Sequence, residues 1–316
     1  MPSSFRNNRL ALAAAALFAT PAVAATPALI DSGYSLPPGG AEPMAGPEPR
    51  ALTEPADRLP PDPARYRTFG AQFRTVRTEM VALTAYMTAI NAIKAERIGA
   101  FHFKKEGWFG RSTENVGVDK LTHAFNTYVL AEFLQTRIAR RTGGADRNAL
   151  TAALLASGLM AYSEVWDAVK PSSGWSMEDI VMNSAGALFS VARNTVPGME
   201  EKLDFRLLLV PNSEVYSFGG RKHYAQQRYL MAVKLAGFAG LERTPLRYVE
   251  LHGGYYAKDF LDEDRERGIV PKRRLFVGVG LNLQEALFPR PRTGVQRAAR
   301  EALNYLQVPY TAVHVH

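Results

Sequence analysis

The spacing of apolar residues changes at Pro197-Gly198, and this change limits the fold more than any other feature of the sequence. Before it, apolar residues recur with helical periodicity; after it, they alternate as in half-buried strands. The helical runs cover residues 75–96, 118–141, 147–169 and 176–191, and the alternating runs cover 202–210, 229–238, 247–257 and 273–284. The sequence therefore predicts an α+β protein, with about four helices followed by an antiparallel β-sheet and a short helix at 295–306.

The apolar face of the predicted sheet has two candidate environments. Leu275 and Val277 begin an alternation that is found both in sheets packed on helices and in sheets that face lipid. Four strands are too few to close a membrane barrel, so we expect the sheet to pack on the helices; a lipid-facing sheet completed by other copies is the alternative. Gly278-Val279-Gly280 lies inside the strand pattern and indicates close backbone packing rather than a nucleotide-binding loop. We expect His314 and His316 to form a solvated end rather than a metal site.

The first 24 residues have the pattern of a secretory signal peptide. Arg6 and Arg9 precede a short apolar run at 10–18, and Ala22-Val23-Ala24 matches a small-residue cleavage site. We therefore expect an exported, periplasmic protein. The sequence contains no cysteine, so it has neither a disulfide nor a thiol that could carry a lipid.

Proline content marks the next boundary. Half of the 20 prolines fall within residues 26–63, a composition that buries too little apolar surface to offset the entropy of chain ordering. We therefore divide the chain into a signal peptide (1–24), a Pro-rich disordered linker (25–66), a helical region (67–197) and a β-rich region with a short C-terminal helix (198–316).

The chain is basic, with a net charge of +8. An exported protein meets anionic lipid headgroups and envelope polymers rather than nucleic acid, so we expect a membrane lipid or an envelope component as partner and no nucleic acid. The apolar helical runs are shorter or more interrupted than the roughly 18 residues expected of a confident spanning helix. The sequence does not predict whether the helices span a bilayer, nor the oligomeric state.

Three polar motifs interrupt the apolar helices. Ionisable groups in such places are costly unless they are paired or have a function. Spacings of three or four residues place the members of each motif on one helix face, and the three faces would form one site if they converge. The candidate residues for binding or for a polar network are Asp119, Lys120, His123, Glu164, Asp167, Ser176, Asp179 and Asn183.

Each motif has several possible roles. Asp119 could cap its helix, and Ser176 with Asp179 matches a capping box. A satisfied polar network that holds the helices together is a further possibility. The motifs also have two possible chemical roles. Asp119, His123 and Glu164 are candidate ligands of a divalent metal such as Zn, Mn or Fe. His123 and Glu164 are candidate catalytic residues that would act as an acid and base pair without a metal.

The motifs Asp119-Lys120-x-x-His123 and Ser176-x-x-Asp179-x-x-x-Asn183 occur in an order that resembles the VanZ-like superfamily, and more closely its YfiM-like branch of envelope proteins of unknown function. The resemblance covers about 101–194, and the later strands at 248–255 and 278–283 also look YfiM-like. It implies a compact VanZ-like helical core, an envelope setting and a site at the polar motifs, without a reaction. The resemblance also favours association with the inner or outer membrane. We therefore expect a membrane-associated envelope protein with a structural or ligand-binding role; the alternative is a metal-dependent hydrolase of a lipid or cell-wall precursor.

Overall fold

The computed structural model describes residues 61–94, 97–211 and 220–316. The predicted signal peptide lies outside these ranges, as does the predicted linker except for its last residues. There, Pro63–Tyr66 form a 3-10 helix that the side chain of Asp62 caps. The rest of the described chain is a mixed α/β fold with its helices first and most of its strands later, as the sequence predicts.

The predicted helices are all present; the predicted run at 75–96 corresponds to Arg77–Lys94, and a further helix, Phe69–Thr75, precedes it. The α-helices are α1 (Phe69–Thr75), α2 (Arg77–Lys94), α3 (Val118–Thr142), α4 (Asn148–Ala168), α5 (Met177–Thr195), α6 (Met199–Lys202), α7 (Gly220–Ala225), α8 (Asp262–Glu266), α9 (Leu283–Leu287) and α10 (Gly294–Ala302). Short 3-10 helices form at Leu235–Gly237 and Pro245–Tyr248.

Helices α3, α4 and α5 form the helical core. The buried face of α3 meets α4 through a cluster that includes Leu134, Ile138 and Leu159. Gly186 of α5 allows α3 and α5 to approach closely, since a Cβ at this position would lie 1.9 Å from the carbonyl oxygen of Ala124. This close contact brings the polar residues of α5 within reach of those on α3.

Within the described ranges the sheet has six strands, where the sequence predicts four. They are β1 (Leu203–Leu209), β2 (Gln227–Lys234), β3 (Val249–Lys258), β4 (Lys272–Leu281), β5 (Leu306–Gln307) and β6 (Ala312–Val315), in the order β5-β1-β2-β3-β4-β6. All neighbours are antiparallel except β1 and β5. The two additional strands are short edge strands that pair with distant parts of the chain, and local alternation does not reveal such pairing.

One of the two C-terminal histidines, His314, differs from the prediction of a solvated end. His314 lies in β6, where its ring packs 4.5 Å from Phe276 and its Nε2 is 3.0 Å from Nδ1 of His252. Burial and the neighbouring His252 lower the pKa of His314 to about 4. His316 is exposed, as expected. Gly280 makes room for this arrangement, because a Cβ there would lie 2.4 Å from the His252 ring.

The two faces of the sheet differ in chemistry. On the first, called the apolar face, Phe205, Tyr229 and Tyr255 lie against the start of α3, and the Phe205 ring packs 5.5 Å from Phe125. The sheet packs on the helices, as the sequence predicts, through the part of the apolar face that contains these residues. The second, called the ionic face, carries the buried charged residues Asp204, Arg206, Lys234, Glu250 and His252.

A chain of ion pairs joins the ionic face to the helices. Arg193 of α5 contacts Glu132 of α3 at 2.7 Å and Asp204 of β1 at 3.2 Å. Asp204 also pairs with Arg206 at 2.7 Å, and Arg206 reaches Glu250 of β3 at 2.6 Å. Because these charges are buried and mutually paired, losing any one of them would leave another without compensation.

Among the described residues, α4 is the one helix that is long and apolar enough to cross a membrane. Its mean hydropathy over the most apolar 18 residues is 1.2, and half of that stretch is buried within the protein. The central helix of a globular domain has the same properties, so this feature does not distinguish a spanning helix from a core helix.

Candidate functional site

Lys120 is the centre of the first part of the site. Its side chain is 1% exposed, and Nζ donates to Oε2 of Glu106 at 2.6 Å and to Oδ1 of Asp179 at 2.8 Å. Oδ2 of Asp119 lies 3.2 Å from the same Nζ. An ammonium group has three N–H donors, and three carboxylates surround this one. The lysine thus joins α3, α5 and the segment that precedes α3.

The segment before α3 is held in place by the loop that precedes α5. Phe103 and Trp175 form a parallel bridge, in which the Lys104 amide donates to the Trp175 carbonyl at 3.0 Å. Further along, the Gly107 amide donates to Oε1 of Glu178 at 3.2 Å. These contacts position Glu106 over the first turn of α3, where its carboxylate meets Lys120.

Helix α5 begins as the sequence predicts. Ser176 is its N-cap, and its hydroxyl accepts from the Asp179 amide at 3.2 Å. The Asp179 side chain, however, contacts Lys120 and so has a role beyond a capping box. Asp119 does not cap α3, because the N-cap is Gly117 and Asp119 lies within the first turn. Its side chain pairs with Lys120 instead.

His123, Glu164 and Asp179 form the second part of the site. Nδ1 of His123 is 3.3 Å from Oε1 of Glu164, and Nε2 of His123 is 3.7 Å from Oδ1 of Asp179. The first pair is close, but its alignment is not that of a hydrogen bond, so neither atom has a hydrogen-bond partner among the described residues. Glu164 is 1% exposed, whereas the His123 side chain is 18% exposed. The site therefore has a buried carboxyl at its base and an imidazole at its solvent side.

The charges in this small region are unequal in number. Glu106, Asp119, Glu164 and Asp179 face one lysine and one histidine. Burial, with the charges of Asp179 and Asp167, raises the pKa of Glu164 to about 8. Burial also raises the pKa of Asp179 despite nearby His123 and Lys120. Without a further cation, the region therefore holds Glu164 as the neutral acid at pH 7.

In Lys120, by contrast with Glu164, the surroundings favour the charged form. Burial disfavours its charged form, but Asp119 and Asp179 together raise its pKa above the ordinary value. Burial likewise opposes ionisation of Glu106, yet the hydrogen bond and the charge of Lys120 lower the pKa of that carboxyl. Lys120 and Glu106 are thus a charged, hydrogen-bonded pair at neutral pH.

Two predicted residues lie at the margin of the site. Asp167 pairs with Lys170 at 2.8 Å and acts on Glu164 only through its charge. Oδ1 of Asn183 accepts from Thr127 at 2.9 Å, while its Nδ2 has no partner within the described ranges. The other six candidates, Asp119, Lys120, His123, Glu164, Ser176 and Asp179, come together at one end of α3 and α5.

In the part of the chain that the structure describes, two groups of side chains have the geometry to hold a cation. In the first, ligand atoms of His123, Glu164 and Asp179 all lie within 4.8 Å of one another, and in the second those of Glu106, Asp119 and Asp179 do. Lys120 already neutralises the second group, whereas the first has the unpartnered atoms of His123 and Glu164. The predicted ligands Asp119, His123 and Glu164 are thus divided between the groups, and Asp179 belongs to both.

Glu106 is a residue of the site that the sequence motifs do not predict. It lies outside the regular helices, 14 positions before Lys120, in a segment where a charged residue is ordinary. Lys120 is the residue that could have indicated a further acidic partner, because a buried lysine in an apolar helix needs more than one nearby carboxylate.

Residues 105–195 match the model of a family described as "Predicted periplasmic lipoprotein (DUF2279)", a domain of unknown function. The match covers α3, α4 and α5 and includes every candidate residue. No curated protein and no solved structure matches the chain. The family description confirms the exported, periplasmic and membrane-associated localisation predicted from the sequence. Over 105–195 the chain is therefore similar to predicted periplasmic lipoproteins, although its sequence has no cysteine to which a lipid could be attached.

Proposed function

We propose that this envelope protein binds a divalent metal ion through His123, Glu164 and Asp179, and that its role is structural or ligand-binding rather than catalytic. The observation that carries the proposal is the Glu164 carboxyl, which is 99% buried and has an oxygen without a hydrogen-bond partner in the described chain. A buried polar atom in that state is costly, and a metal ion shared with His123 would satisfy it.

The type of ligand indicates which metals suit the site. One imidazole nitrogen with two carboxylates is typical of Zn²⁺, Mn²⁺ or Fe²⁺ sites, whereas Ca²⁺ and Mg²⁺ prefer oxygen ligands throughout. Lys120 would remain outside the metal shell and hold Asp179 in position from the other side. Such outer contacts orient metal ligands in many proteins.

The test is thermal unfolding with and without metal. Zn²⁺ or Mn²⁺ at about 100 times its dissociation constant stabilises a single-site protein by about 2.7 kcal/mol, or roughly 5–10 °C for a protein of this size. We expect wild type to show this shift, Glu164→Gln to lose it, and Asp167→Asn to keep it. Asp167 is the matched control because it is a nearby acid outside the group.

Unfolding in a chelator separates metal binding from simple polar packing. Without metal, Glu164 has an unpartnered buried carboxyl, so Glu164→Gln should be neutral or mildly stabilising. If Glu164 serves only in packing, the variant instead unfolds earlier in the chelator and metal has no effect on wild type. A wild-type protein with neither bound metal nor a metal-dependent shift would contradict the proposal.

A metal-dependent hydrolase of a lipid or cell-wall precursor is the second candidate. It is favoured by the partial exposure of His123 and Glu106, because water and a substrate could reach a metal held there. This candidate requires that the metal-loaded protein release product from lipid-linked cell-wall precursors and that Glu164→Gln abolish release while the protein stays folded. Binding of metal without turnover would favour the ligand-binding role.

We also propose that the protein is related to YfiM-like and VanZ-like proteins. The support is that Asp119-Lys120-x-x-His123 and Ser176-x-x-Asp179 contribute to one site, as a shared functional motif would require. An experimental structure of a YfiM-like protein tests the relationship: the corresponding lysine, histidine and aspartate should meet at the same end of two packed helices. A different helix order would contradict it.

A further inference from the structure

The apolar face of the sheet continues beyond the helices that cover it. In β4, the side chains of Leu275, Val277, Val279 and Leu281 lie on that face and are exposed. The strand register aligns Val279 with Leu251 of β3 on one side and with Val313 of β6 on the other. Together with Val315, these side chains form one continuous surface, called the open apolar face.

The open apolar face joins more exposed apolar side chains than is usual for apolar residues scattered singly over a protein surface. Its seven members, Leu251, Leu275, Val277, Val279, Leu281, Val313 and Val315, range from 43% to 77% exposed. Contiguous apolar patches on soluble monomers are typically limited to a few hundred Å², and larger ones mark interaction sites.

The distribution of polarity across the sheet is the second observation. The opposite side of the same strands carries the ionic face, with Glu250 and His252 buried in β3. A water-soluble sheet normally has its polar side outward and its apolar side buried. Here β3 has buried charges on one side, and both β3 and β4 have exposed leucine or valine on the other, which is the polarity of strands that face lipid.

The borders of the open apolar face are the third observation. From Leu275 to Leu281 the face is roughly 20 Å tall, since a strand rises about 3.3 Å per residue. At the Leu281 end, the backbone of Asn282 bonds to Tyr248, and Tyr310 is fully exposed nearby in the chain before β6. Tyrosines are common where membrane hydrocarbon meets water.

The other border is charged. Beyond Leu275 on the same side of β4, Arg273 is exposed, and at the same end of the sheet Lys272 aligns with Lys258 of β3 on the opposite side. Lys272 pairs with Asp259 at 2.7 Å. An apolar band with tyrosines at one end and charged side chains at the other matches the layering of a bilayer, with hydrocarbon between two polar boundaries.

We infer that the open apolar face of β3, β4 and β6 lies against the hydrocarbon of a phospholipid membrane and attaches the protein to it. This attachment needs no lipid-modified cysteine, and the sequence has no cysteine. It is independent of the metal proposal, because none of the face residues belongs to the candidate metal groups.

The test is flotation of the protein, purified from the periplasm, with vesicles of phosphatidylethanolamine and phosphatidylglycerol. We expect wild type to float with the vesicles. A charged residue on a lipid-facing strand opposes insertion near the middle of the bilayer, by about 30-fold or more for Arg or Lys and by less for Glu. Two such residues together, Val277→Glu with Val279→Glu, should therefore leave the protein in the dense fraction. Val81→Glu on α2 is the matched control, because Val81 is 69% exposed against 66% for Val277.

Circular dichroism of each variant verifies folding. If the β4 double variant unfolds, Val313→Glu with Val315→Glu on the edge strand β6 provides the same test. Failure of wild type to float, or equal flotation of the β4 variant and Val81→Glu, overturns the inference. A third result also overturns it: wild type sediments as a dimer, the β4 variant sediments as a monomer, and neither binds vesicles. The open apolar face would then be covered by a second copy of the chain.

Discussion

Replacing Lys120 with methionine tests how the helical core is held together. Methionine keeps a similar shape but removes the ammonium group that three carboxylates share. The lysine is 1% exposed, so its removal would leave the buried carboxyl groups of Asp179 and Asp119 without their shared cationic partner. Removing one partner of a buried ion pair costs about 3–5 kcal/mol.

The measurement is thermal unfolding at pH 7 in a chelator, followed by circular dichroism. For a protein of this size, a loss of 3–5 kcal/mol lowers the midpoint by roughly 6–20 °C. Lys272→Met is the matched control: Lys272 pairs with Asp259 at 2.7 Å but is half exposed, and exposed pairs contribute about 1 kcal/mol or less. If the two variants unfold at the same temperature, the Lys120 network does not hold the helices together and the reasoning is wrong.

The remaining predictions concern packing and pH. Gly186→Ala should lower the unfolding midpoint strongly, since its Cβ would meet the Ala124 carbonyl at 1.9 Å; Gly158→Ala, in the open part of α4, should be neutral or raise it. His314, which faces His252 and Arg228, has a pKa lowered to about 4 from an ordinary 6.5. The unfolded chain therefore binds its proton first, and stability should fall as pH drops from 6.5 towards 4. Thermal midpoints across this range should fall less steeply in His314→Gln; an equal slope would contradict the assignment.

The helices were predictable because their signals are local. Ser176 is an N-cap in the structure as in the prediction, and the helical runs follow the periodicity of their apolar residues. The role of Asp119 was less predictable, because an acidic residue in a first turn has the same local pattern whether it caps the helix or pairs with a lysine. Only the position of Gly117 at the N-cap decides between these roles.

Features that depend on distant partners were not predictable from local patterns. Glu106 joins the site because Phe103 bridges Trp175, 72 positions away along the chain. Strand β6 exists because residues from the extreme C-terminus pair with the middle of β4. The alternation of apolar residues in β4 was predicted correctly. Which half of the apolar face is covered depends on where α3 crosses the sheet. The sequence around Phe125 and Tyr128, which pack there, gives no local indication of that position.

The ion pairs of Arg193 have a consequence for how the chain can be divided. The family match ends at residue 195, and the helical region was predicted to end at 197, yet Arg193 pairs with Asp204 of β1 as well as with Glu132 of α3. A fragment cut at either boundary would keep the arginine and lose one of its two close acidic partners. The helical segment recognised by the family model is therefore not a self-sufficient folding unit here, and helices and sheet should gain their native structure in a single cooperative step.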